Sequence, residues 1–156
     1  MTDSIKAAQI PSHYSLEGNL YNSTGNPYAH GILRGGMSGP NYSADHIRQY
    51  LKEKTSIKNP AIIIDCNHGN SLKDPFKQIS IIESMYHDIL PSLDTDDYSA
   101  RDIVKGFMVE SYLYDGRQDV SENIIHGLSL TDACIGKEKT LELIMRLYHL
   151  IGENKS

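Results

Sequence analysis

Ala61-Ile62-Ile63-Ile64 constrains the fold more than any other segment, because it is an unbroken apolar run in which the isoleucines are β-branched and no polar residue alternates. Such a run suits a strand covered on both faces, as in a parallel sheet flanked by helices. It ends abruptly in Asp65-Cys66-Asn67-His68. Upstream, Ala29-His30-Gly31-Ile32-Leu33-Arg34 is a similar short run that stops at a charge and Gly35-Gly36. Downstream, Ile103-Val104 and Phe107-Met108-Val109 form another, ending in Glu110. Each reads as a buried strand meeting a loop.

The intervening segments carry helical spacing. Ser43 is the expected N-cap of a helix over residues 44–54, with Ile47, Tyr50 and Leu51 as its apolar stripe and Lys52, Glu53 and Lys54 on its solvated side. Pro60 closes the connection to the next strand. Asp74 and Pro75 form an N-cap and first-turn pair, after which Phe76, Ile79, Ile82, Met85, Tyr86 and Ile89 recur at helical spacing until Pro91. An acidic loop with Asp94, Asp96 and Asp97 follows, and Leu141, Ile144, Met145, Tyr148 and Ile151 predict a final amphipathic helix ending near Gly152. The stretch from Leu16 to Asn26, rich in Gly, Asn and Ser, reads as a turn region. The order is strand, helix, strand, helix, strand, long loop, helix, which is an α/β fold with right-handed parallel crossovers. A length of 156 residues fits one core.

Composition excludes several classes of function. The net charge of -5 comes from scattered acids with no Lys/Arg block to match a phosphate backbone, so nucleic acid is not an expected partner. No apolar run approaches the roughly 20 residues needed to span a bilayer, and Met1-Thr2-Asp3-Ser4 does not read as a signal peptide, so a cytoplasmic protein with no membrane association is expected. Cys66 and Cys134 lie in different segments without metal-site spacing and are expected to be free thiols.

In parallel α/β architectures, ligands bind at the C-terminal ends of the strands, so Arg34, His68 and Glu110 are expected to converge. An imidazole with the carboxylates of Glu110 and Asp132 makes an oxygen-rich site suited to Mn²⁺ or Fe²⁺ more than to structural zinc. The residues alone equally allow a solvated Glu110, a hydrogen-bonded capping His68 and an Asx turn at Asp132. Arg34 beside Gly35-Gly36 offers a guanidinium fork for a phosphate or carboxylate; the alternative is that the glycines serve turn geometry and Arg34 pairs with a nearby acid.

Four linked segments carry a resemblance: Ile32-Leu33-Arg34-Gly35-Gly36 with Pro40-Asn41-Tyr42; Ile64-Asp65-Cys66-Asn67-His68-Gly69-Asn70-Ser71 with Lys73-Asp74; Val109-Glu110-Ser111; and Thr131-Asp132-Ala133-Cys134-Ile135-Gly136. In this order and spacing the chain resembles the type I 3-deoxy-D-arabino-heptulosonate 7-phosphate (DAHP) synthases, also called phospho-2-dehydro-3-deoxyheptonate aldolases, from about Ile5 to the C-terminus. The resemblance implies a TIM-type (β/α)₈ barrel of which this chain carries about the last three β/α units. Residues 1–28 would be the end of a helix plus a shortened hairpin insertion, and 29–152 the three units, all in a single truncated domain. It implies a transferase that joins phosphoenolpyruvate to erythrose 4-phosphate in the first step of the shikimate pathway and aromatic amino acid biosynthesis. Such enzymes hold a divalent metal with Cys, His, Glu and Asp. His68, Glu110 and Asp132 match the last three ligands, and Arg34 matches an arginine that holds phosphoenolpyruvate. By the same resemblance His68 borders phosphoenolpyruvate and Glu110 relays a proton, while the metal polarises the aldehyde oxygen or activates water.

A complete barrel takes about 250 residues, and the first five strands, with the family's cysteine ligand and most of its phosphate-binding cations, have no counterpart in this sequence. Catalysis by the isolated chain is therefore not expected. Asn67 stands where serine is usual, Lys137 where tryptophan often follows Ile135-Gly136, and the shortened hairpin puts feedback control by aromatic amino acids in doubt. Cys66 shares strand parity with His68, but it is read as a buried free cysteine rather than a replacement ligand, because family members with cysteine there still use the first-strand ligand. A three-strand part of a barrel exposes two strand edges and an interior face that should be packed, so self-association or a complementary N-terminal chain is expected. The alternative is a non-catalytic remnant, or a protein that binds metal or phosphate without chemistry.

Overall fold

In the computed structural model, which describes residues 2–53, 57–94 and 100–153, the chain opens with helix α1 (Thr2–Gln9) and an antiparallel hairpin of β1 (Ser12–Leu16) and β2 (Asn19–Ser23). Regular pairing thus occupies much of the segment expected to be turn. The tight turn is confined to Glu17 and Gly18, both at positive φ, and Tyr14 stacks on Tyr21 across the strands with ring centroids 5.5 Å apart. Two residues at positive φ are what a tight hairpin turn demands, and aromatic cross-strand pairs stabilise the register. Gln9 is buried and tethers α1 to the rest: its Nε2 donates to Ala29 O at 3.0 Å and its Oε1 accepts from Lys58 N at 2.8 Å.

The apolar runs become one parallel sheet in the order β3 (Gly31–Leu33), β4 (Ile62–Asp65), β5 (Val104–Met108). The register pairs Ile32 with Ile63 and Ile64 with Phe107, with an irregularity between Ile62 and Ile63. The β3–β4 crossover contains α2 (Ala44–Glu53), capped by Ser43, whose Oγ accepts from His46 N at 3.4 Å. Ile47, Tyr50 and Leu51 are buried, as their spacing predicts. Residue 54, and Asp96 and Asp97 of the acidic loop, lie outside the described residues.

The β4–β5 crossover departs from expectation at both ends. Asp74 Oδ1 accepts from Phe76 N at 3.0 Å, but this organises a turn, and regular helix α4 (Lys77–Ser84) starts later. At its far end the helix does not stop at Pro91. It runs through a π-helical turn (Met85–Ile89) into α5 (Leu90–Leu93), with helical φ/ψ at both junctions and Leu90 N bonded to Met85 O. A wide turn immediately before the proline gives a residue that lacks an N–H, and whose ring crowds the preceding turn, room to stay helical.

Helix α6 (Lys137–Glu153) closes the chain and begins earlier than its apolar pattern suggests. Leu141, Ile144, Met145, Tyr148 and Ile151, the stripe expected to face the core, are all exposed; Leu143 is buried instead and Leu147 packs against the core. The helix carries apolar residues around most of its circumference, so periodicity cannot choose between two stripes and packing decides. The sheet shows the same one-sided cover. Alternate residues Leu33, Ile62, Ile64 and Val104 are buried under the helices, whereas Ile32 and Met108 on the opposite face are exposed. The run at 61–64, read from its composition as a strand covered on both faces, lies in a sheet covered on one face among the described residues, with the other face open.

Candidate active site

The C-terminal ends of β3 and β4 are joined backbone to backbone. Gly35 has φ +71° and leaves no room for a side chain: a Cβ there would lie 2.5 Å from Gly69 C, and a Cβ on Gly69 would lie 2.6 Å from Gly36 N. Here the glycines serve close approach as well as turn geometry. Asn70, which is buried, closes the seam, with Nδ2 donating to Leu33 O at 2.8 Å and Asp65 O at 2.7 Å, and Oδ1 accepting from Asn41 N at 2.8 Å. The result sets Arg34 beside the loop that carries His68.

His68 begins a short helix, α3 (His68–Ser71), and itself sits at φ +46°. This break in the extended backbone turns its ring away from the side taken by Cys66. Cys66 is fully buried in the core, its thiol donates to Ile64 O at 3.6 Å, and burial pushes its pKa up. Strand parity therefore does not bring Cys66 to the site; it is a buried free thiol, as is Cys134. The His68 ring is instead fixed by Asp65, whose Oδ2 lies 2.8 Å from Nδ1. Asp65 Oδ1 accepts from Asn67 N at 2.9 Å, and Arg34 Nε lies 3.7 Å from Oδ2, so Asp65 touches both loops. The Arg34 side chain remains 60% exposed and free to meet a ligand.

Two further carboxylates face the other ring nitrogen. His68 Nε2 lies 3.7 Å from Glu110 Oε1 and 3.3 Å from Asp132 Oδ2. Glu110 is positioned by buried Gln78 of α4, which accepts from Glu110 N at 2.8 Å and donates to Glu110 O at 3.1 Å. Asp132 arrives because the long loop after β5 folds back on itself. Ile135 N donates to Glu110 O at 3.1 Å, Tyr112 N donates to Ile135 O at 3.0 Å, and Asn67 Nδ2 reaches Ala133 O at 3.3 Å. The loop is fastened to α6 by Asp115, which accepts from Gly136 N at 2.6 Å and pairs with Lys139; the Lys139 bond, then the Gly136 N–H, hold its carboxyl below the usual range. One donor atom each from His68, Glu110 and Asp132 lie within 4.8 Å of one another. Arg34, Gly35, Gly36, His68, Lys73 and Asp132 line an adjoining cavity of about 460 Å³.

An α/β sheet with these side chains at its strand ends has clear relatives. The model of the DAHP synthetase I family matches residues 2–144. The chain belongs to the DAHP synthetase I family. A putative phospho-2-dehydro-3-deoxyheptonate aldolase of Schizosaccharomyces pombe is 31% identical, covering 99% of this chain and 42% of that protein. The Haemophilus influenzae phospho-2-dehydro-3-deoxyheptonate aldolase is 36% identical, over 93% of this chain and 40% of that protein. The solved phospho-2-dehydro-3-deoxyheptonate aldolase of Francisella tularensis superposes with a TM-score of 0.78 at 33% identity, covering 97% of this chain and 44% of that one. The chain spans about two fifths of the length of these relatives.

Within this DAHP synthetase I chain, Arg34, His68, Glu110 and Asp132 stand at one end of the sheet. Sequence reasoning missed the residues that hold them. Asp65 and Gln78 carry no spacing signal, because each acts through a fold contact. Asn67, noted only as a departure from serine, uses its longer side chain to bond Ala133 O and to accept from Ser71 Oγ at 2.9 Å. Lys73 lines the cavity from a left-handed position, φ +65°, with its N–H donated to His68 O at 2.9 Å.

Proposed function

We propose that this chain forms one side of a DAHP synthase active site, in which phosphoenolpyruvate is joined to erythrose 4-phosphate. The observation that carries the reading is the meeting of His68, Glu110 and Asp132 next to the Arg34 cavity, in a chain of the DAHP synthetase I family. The donor set fits a divalent cation such as Mn²⁺ or Fe²⁺: one imidazole nitrogen and two carboxylates converge, with the ring already oriented by Asp65. Such an ion would supply Lewis acidity toward a carbonyl oxygen. Arg34 would hold the phosphate or carboxylate of phosphoenolpyruvate through its paired N–H groups, with Lys73 adding a second cation on the same wall. His68 would border the enolpyruvyl group, and Glu110, beside His68 and 37% exposed, is placed to carry a proton.

The same reading makes the chain part of a (β/α)₈ barrel. The exposed sheet face with Ile32 and Met108, and the exposed stripe of α6, are surfaces that further β/α units would cover. Those units would bring a further thiolate ligand and the cations for the second substrate phosphate. A cytoplasmic location belongs to this reading, and no helix among the described residues is long and apolar enough to cross a membrane.

The test is consumption of phosphoenolpyruvate with erythrose 4-phosphate and Mn²⁺. The chain alone is expected to show none, and turnover is expected on adding a polypeptide with the remaining β/α units, then lost in His68→Ala. Absence of turnover in the reconstituted mixture would overturn the reading in favour of a protein that binds metal or phosphate without chemistry.

A further inference from the structure

We infer that Asp65 is a positioning residue: its buried carboxylate sets the tautomer of His68 and ties the metal-facing loop to the Arg34 loop. The inference rests on the proposed metal site and adds to it a residue that touches neither ion nor substrate. Asp65 is 1% exposed, at the end of β4, on the strand parity of Ile63 and the open sheet face. Its Oδ2 is 2.8 Å from His68 Nδ1. A carboxylate oxygen accepts and does not donate, so this contact, shorter than the 3.3 Å and 3.7 Å approaches at the other nitrogen, holds a ring proton on Nδ1 and leaves Nε2 as the nitrogen that gives its lone pair to an ion. Nε2 is the atom that faces Glu110 and Asp132. The other tautomer would present an N–H to the place where an ion must bind.

The remaining contacts make Asp65 a fixed point. Oδ1 accepts from Asn67 N, and the Asp65 main-chain oxygen accepts from Asn70 Nδ2, so side chain and backbone are both held. Arg34 Nε, 3.7 Å from the oxygen that meets His68, offsets the buried charge from the opposite loop. One carboxylate thus relates the phosphate-facing cation to the metal-facing ring. Such outer carboxylate–histidine contacts typically contribute 10–100-fold to metal affinity.

Asp65→Asn tests this because it keeps shape and one oxygen. That oxygen can go on accepting from Asn67 N, while the new amide donates toward His68 Nδ1 and drives the ring proton to Nε2. Nitrogen-15 shifts of the His68 ring in the full, metal-free chain read the tautomer directly. The expected result is Nδ1–H in the parent chain, Nε2–H in Asp65→Asn, and roughly 10–100-fold weaker Mn²⁺ binding in the variant by titration calorimetry. A His68→Ala background should remove the effect of Asp65→Asn on Mn²⁺ affinity. A ring with no proton on Nδ1 in the parent chain overturns the inference even if the variant fails to fold. So does a folded variant that binds Mn²⁺ within twofold of the parent. If the tautomer switches as expected but neither protein binds Mn²⁺, the metal reading fails and the positioning role of Asp65 stands.

Discussion

Asn70 shows how a single buried polar side chain can assemble a site it does not enter. Its three hydrogen bonds join the end of β3, the end of β4 and the loop at Asn41, and removing them would take a buried partner from Leu33 O, Asp65 O and Asn41 N. A buried hydrogen bond contributes about 0.5–1.5 kcal/mol, so losing three in Asn70→Ala should lower stability by about 3 kcal/mol in urea unfolding. A loss under about 0.5 kcal/mol, the range of an ordinary surface change, would mean the seam is not held as described. None of this is visible in the residue's sequence neighbourhood, because its partners at Leu33 and Asn41 belong to another loop. The motif residues Arg34, His68, Glu110 and Asp132 were legible, since each is a chemically capable side chain in a resembling motif, at or after the end of an apolar run.

At the scale of elements, α2 and α6 behave differently for a reason in their composition. In α2 the apolar residues form one stripe, so Ile47, Tyr50 and Leu51 had only one way to face the core. In α6 they form nearly a full ring, and the core takes Leu143 and Leu147. Leu143→Ala should therefore cost about 2–4 kcal/mol through lost burial and a cavity. Ile144→Ala, at an exposed position, should stay within about 0.5 kcal/mol when unfolding is followed at low protein concentration. The opposite ranking would restore the stripe that periodicity alone suggested. The π turn ahead of Pro91 gives the matching lesson for boundaries: proline predicts a helix end from its missing donor, and a local change of helix type removes the conflict.

For the whole molecule, the governing fact is cover. A parallel sheet needs both faces protected, yet the described residues cover one, and α6 adds Leu141, Ile144, Met145, Tyr148 and Ile151 to the exposed apolar surface. Without further β/α units to occupy it, this surface should drive copies of the chain together. Sedimentation is expected to give an average mass that rises with concentration above the 17.5 kDa of one chain. The double variant Ile144→Lys with Tyr148→Lys should return it toward that value, because charge on the stripe opposes its burial. Equal association of parent and variant would place the contact elsewhere.

The sequence by itself determined the order of the three sheet strands and the helices that follow them, the family, and which chemically capable side chains close the apolar runs, because apolar runs, helical spacing and motif residues are local properties. Only the tertiary structure decided which face of α6 is buried, that Cys66 turns away from His68, and that Asp65, Asn67, Asn70 and Gln78 orient the site. Those outcomes depend on contacts between residues distant in the chain, or on one left-handed backbone turn at His68, and neither is encoded in the spacing of like residues.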